Sequence, residues 1–91
     1  MNSQLQELRC QMDDINRDMA ELFVKRMELS AKIANIKQEM QLPIEDEDRE
    51  REILETIESY VPEALKIYTN SLFNKMFELS KAYQMAQKEQ A

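Results

Sequence analysis

At 91 residues the chain is expected to form one domain, 1–91, small enough that its core gains from being shared between subunits; 43% hydrophobic and 33% charged residues, no Gly and only Pro43 and Pro62 make it read as all-helical. A net charge of -6, with the basic residues scattered among acids, argues against a nucleic-acid partner, because phosphate binding takes clustered excess cations. The lack of His excludes His-based proton shuttles and nucleophilic triads, the lack of Gly excludes a Gly-rich phosphate loop, and the lone Cys10 builds no disulfide framework and reads as a structural or surface thiol.

The amino terminus, Met-Asn-Ser-Gln, lacks the basic-then-apolar pattern of a signal peptide, and no apolar run approaches membrane length. A cytoplasmic protein without a membrane partner is expected. From there, one heptad seam dominates the chain. Leu5, Met12, Met19, Arg26, Ile33 and Met40 recur every seventh residue, accompanied by Leu8, Ile15, Leu22, Leu29 and Ile36. This spacing keeps one stripe of a helix facing a partner. Ser3 is the expected N-cap, with Glu7 in the first turn, and the helix should end before Pro43.

A helix of about 37 residues is a rod of about 55 Å, whereas a compact chain of this length has a radius of gyration of about 12 Å. One chain cannot cover such a rod, so two long helices packed in a homodimer are expected. Arg26 interrupts the seam. It is either a long side chain snorkelling out of a helix interface or a cation kept in a groove to meet an anion, since a pocket can be locally cationic on an acidic protein.

Between Gln41 and Glu47 the pattern dissolves into a short loop. Asp46 is the expected N-cap of a second helix, with Glu47, Asp48 and Glu50 at its positive end, running to about Ser59. Its narrow apolar face is Ile53, Leu54 and Ile57, and Glu50 shares that face. The charged run from Glu45 to Glu52 is by itself an ordinary solvated helix start. Pro62 fits the first turn of a third helix reaching about Gln87. Along that helix one stripe runs Leu65, Leu72, Met76, Leu79 and Tyr83. A neighbouring stripe runs Phe73, Phe77, Ser80 and Gln84, where apolar gives way to polar without leaving the face. A wet helix end or a polar pocket wall would both produce this.

Helix geometry sorts the cations of the first helix. Arg26 and Lys37 differ by about 20° in direction and about 16 Å in rise, so two long side chains could hold a small molecule between them. Arg9 and Arg26 are about 25 Å apart along the axis and about 100° around it, and cannot share a small ligand in one chain. In an antiparallel dimer the Arg9 of a second copy could reach the site.

The order Leu8-Arg9, Lys25-Arg26 with Glu28-Leu29, Ile36-Lys37, Pro43-Ile44 with Asp46, Asp48-Arg49-Glu50, and finally Ser80 with Gln84, resembles the all-helical class of chorismate mutases over nearly the whole chain. The resemblance implies an all-α fold of three helices per chain, one very long, in an entwined antiparallel homodimer. It implies conversion of chorismate to prephenate in phenylalanine and tyrosine biosynthesis, with no cofactor and no metal. Carried over, Arg26 and the partner's Arg9 would bind the substrate carboxylates, and Lys37 and Gln84 would donate hydrogen bonds to the ether oxygen. Glu50 would accept from the ring hydroxyl, Asp46 would contribute near that end through its backbone, Arg49 would support the hydroxyl and loop contacts, and Ser80 would assist a carboxylate.

The chemistry suits the residue types. A unimolecular [3,3] rearrangement breaks a C–O bond as a C–C bond forms, so it requires no nucleophile and no obligatory proton transfer. Two readings compete with it. An isochorismate pyruvate lyase of the same architecture would use similar cations on an isomeric substrate, and Glu50 as a hydroxyl acceptor favours the mutase. A non-catalytic coiled-coil adaptor would use Arg26 to set register, but has no reason to aim Lys37, Glu50, Ser80 and Gln84 at one cavity.

Overall fold

The computed structural model describes residues 2–90, and among them there are three α-helices and no strand: α1 over Ser3–Glu39, α2 over Glu47–Glu58 and α3 over Lys66–Gln90, the last entered through a 3-10 turn at Glu63–Leu65. The 37 residues of α1 match the length that the heptad seam dictates. Its N-cap is Asn2, one residue ahead of the expected Ser3: the Asn2 side chain accepts from the Leu5 N–H at 3.0 Å. Asn and Ser cap almost equally well, so local preference does not choose between neighbours. Starting there, the first turn contains no acid, and Glu7 lies beyond it.

The other end of α1 is a Schellman motif. The Leu42 N–H donates to Lys37 O at 2.8 Å, the Gln41 N–H to Gln38 O at 3.1 Å, and Gln41 takes a φ of 59°. The motif turns the chain back so that Pro43 and Ile44 run beside the last turn of α1. Asp46 caps α2 as expected, its side chain accepting from the Arg49 N–H at 3.0 Å, with Glu47, Asp48 and Glu50 in the first turn. Pro62 differs from expectation. At φ -61° and ψ 151° it stands outside the helix as the cap of the 3-10 turn, which delays the start of α3 to Lys66. The extended ψ is what separates a proline before a helix from one inside its first turn.

α3 packs against both α1 and α2. The molecule measures 58 × 31 × 14 Å, and its one buried hydrophobic residue among those described is Phe77. Every apolar member of the α1 seam, from Leu5 to Met40, is 42–62% exposed. In a single chain the stripe built to face a helix therefore faces solvent. Cys10, on the same helix, is exposed.

Candidate active site

α1, α3, α2 and the loop leading into it border an open cavity of about 280 Å³. From α1 it receives Arg26, Ser30, Ile33 and Lys37, whose 4,3,4 spacing keeps one face pointing inward. From α3 come Phe77, Ser80, Lys81 and Gln84, and from the loop and α2 come Ile44, Asp46, Arg49, Glu50 and Ile53. Seven of the eight residues anticipated from the sequence, all except Arg9, line this one space.

The buried polar residues Ser30, Ser80 and Gln84 gather beside Phe77, so the polar stretch of the third-helix stripe is a pocket wall and not a wet helix end. Arg26 Nη1 donates to Ser80 Oγ at 2.9 Å, and its guanidinium carbon stands 5.7 Å from the centroid of the Phe77 ring. A hydrogen bond and a cation–π contact together fix the interruption of the seam at the cavity wall. Ser80 Oγ passes its own hydrogen to Met27 Sδ at 3.7 Å. Phe73 meets Phe77 edge to face at 6.4 Å.

Gln84 is only 6% exposed. Its Nε2 donates to Ser30 O at 3.0 Å, whereas its buried Oε1 has no protein partner. An unpaired buried carbonyl costs about 1–3 kcal/mol, an expense typical of functional sites. Lys37 Nζ donates to Ile44 O at 2.9 Å, tying α1 to the loop and leaving two ammonium hydrogens for a ligand. Asp46 lines the cavity while its carboxylate is committed to the cap of α2. Arg49 also borders the space, but its guanidinium turns outward to Glu52 at 2.6 Å.

Lys81 escaped sequence reading. Its Nζ lies 3.1 Å from Glu45 Oε1 and 3.3 Å from Glu50 Oε2, and the hydrogen bond to Glu45, followed by that to Glu50, raises its pKa above the ordinary 10.5. The signal was present, because Lys81 follows Phe77 by four residues and precedes Gln84 by three and so shares their face. A second, apolar groove of about 600 Å³ lies between the Met19–Phe23 part of α1 and the Leu72–Leu79 part of α3. It is continuous with the exposed seam. Arg9 sits farther toward the start of α1, outside the 280 Å³ cavity.

Residues 8–85 match the family described as chorismate mutase type II, and the chain belongs to that family. The matched span includes every candidate site residue from Arg9 to Gln84. Among solved structures, the chain is similar to a conserved hypothetical protein from Pyrococcus furiosus, with 33% identity and a TM-score of 0.77 over 92% of this chain and 99% of that one. No curated protein matches. Among the described residues no helix is long and apolar enough to cross a membrane.

Proposed function

We propose that the protein is a chorismate mutase, an isomerase that converts chorismate to prephenate in cytoplasmic aromatic amino-acid biosynthesis, and that residues 1–91 act as one domain. The observation that carries this reading is the convergence of Arg26, Lys37, Glu50, Ser80 and Gln84, from three separate helices, on one cavity in a chain of this family. The roles follow from chemistry. Arg26, held by Ser80 and Phe77, offers a planar fork to a substrate carboxylate. Anchoring both carboxylates selects the compact conformer in which the reacting carbons approach, which removes much of the entropic barrier. Negative charge growing on the ether oxygen is met by Lys37 and by the second amide hydrogen of Gln84, and one such preorganised donor is typically worth about 3 kcal/mol. Glu50 accepts from the ring hydroxyl, Asp46 lends backbone contacts at that end, and Arg49 swings in from Glu52 to support them.

Of the other cations lining the cavity, Lys37 is assigned to the ether oxygen, and Arg49 and Lys81 are paired with glutamates, so the second carboxylate falls to Arg9 of a second copy. In the proposed homodimer the long helices run antiparallel, their exposed seams cover one another, and Arg9 of each copy completes the site of the other. The test is incubation of purified protein with chorismate, following the loss of its ultraviolet absorbance and identifying the product. Prephenate formed by the wild-type protein, and far more slowly by Lys37→Ala, supports the reading. Release of pyruvate, or unchanged chorismate, overturns it.

A further inference from the structure

Resting on the reading in which Glu50 accepts from the substrate's ring hydroxyl, we infer that Lys81 is a positioning residue that holds the Glu50 carboxylate in its receiving orientation. Lys81 projects from α3 toward the loop and α2, where its ammonium joins Glu45 Oε1 at 3.1 Å and Glu50 Oε2 at 3.3 Å. The arm to Glu50 is the more sheltered: the Glu50 side chain is 25% exposed and that of Glu45 is 60% exposed. Sheltered pairs lose less to solvent screening.

The surroundings of Glu50 explain the need. It emerges from an acidic stretch whose two arginines are engaged elsewhere, Arg49 with Glu52 at 2.6 Å and Arg51 with Asp48 at 3.2 Å. Among the described residues, Lys81 supplies the ion-pair partner of Glu50. A glutamate without such a partner samples several rotamers, and its carboxylate is repelled by the neighbouring acids. Engaging Oε2 restricts the positions the carboxylate can take and leaves Oε1 as the oxygen that accepts from the hydroxyl. An acceptor aimed before the ligand arrives binds without the cost of ordering a mobile side chain.

The experiment is steady-state kinetics with chorismate on the full chain, comparing wild type, Lys81→Met, Lys81→Arg, Glu50→Ala and the Lys81→Met/Glu50→Ala pair. Lys81→Met should lower kcat/KM about tenfold, chiefly by raising KM, because the hydroxyl contact exists in both ground and transition states. Lys81→Arg should recover activity to within about threefold of wild type, since a guanidinium can also bridge two carboxylates. In the Glu50→Ala background the same Lys81→Met change should cost less than about twofold, the non-additivity expected of residues that act as a unit. If Lys81→Met loses its helical circular dichroism, Lys81→Gln provides the comparison. An equal loss with and without Glu50 would show Lys81 attracting the dianion directly, and no loss in either background would show it idle; each result overturns the inference while leaving the mutase reading intact. A wild-type protein that leaves chorismate unchanged overturns both.

Discussion

Gln84 carries an unpaired buried carbonyl and an amide hydrogen for a ligand, so its replacement separates charge from shape. A neutral amide donates at every pH, whereas a carboxyl donates only when protonated. Gln84→Glu should therefore lose activity as pH rises through the pKa of the introduced carboxyl, which burial pushes up, giving an acid optimum that the wild type lacks. A pH–rate profile unchanged in shape would remove Gln84 from the ether-oxygen contact. Arg26→Ala should lower kcat/KM by about two to three decades while circular dichroism stays helical, because a cation within an apolar seam contributes more to binding than to folding. At this scale the sequence was only partly readable. Periodicity put Ser80 and Gln84 on the face of Phe77 but could not distinguish a solvated helix end from a pocket wall, since that depends on α1 lying opposite. The position of Lys81 on that face was legible too, but its pairing was not, because Glu45 and Glu50 are remote in sequence and joined to it only by the fold.

At the level of elements, two caps aim the site. The Schellman motif and the Lys37 bond to Ile44 O fold the loop back onto α1, and Asp46 then starts α2 where Glu50 meets the cavity. Gln41 adopts the left-handed region at φ 59°, which costs a side-chain-bearing residue about 1 kcal/mol, so Gln41→Gly should stabilise by roughly that amount in urea unfolding. Asp46→Ala should destabilise by about 1 kcal/mol and also weaken turnover, because the same cap positions Glu50. Lys66 and Lys81 both have raised pKa values, the first from its hydrogen bond to Glu63 and the second from that to Glu45. A raised folded pKa means that each lysine's contribution is fully present below 10.5 and is lost as pH rises through the folded value; a pH series of melting temperatures should show this alkaline loss. The helices themselves were legible because α1 and α2 obey their periodicity and Asp46 is a strong cap. The ends were less so: Asn2 and Ser3 are near-equivalent caps, and the backbone angle of Pro62 is not written in its neighbours.

For the whole molecule, the length of α1 and the regularity of its seam predict a second chain, and in the single chain that seam is exposed. Which part of one long helix meets which part of another is not contained in a periodic stripe, because a heptad pattern fits several registers and both directions. Arg9 supplies the constraint: in the proposed dimer it meets a substrate carboxylate in the other copy's cavity, which calls for an antiparallel arrangement. Its most direct test is complementation. Arg9→Ala and Arg26→Ala chains, each nearly inactive alone, are denatured together in equal amounts, refolded, and checked for mixed dimers by mass spectrometry of differently tagged subunits. Random pairing makes about half the dimers mixed, each with one intact site of two, so chorismate turnover should return to about a quarter of wild type. Mixed dimers that form and remain as inactive as their parents would contradict a site completed by a second chain.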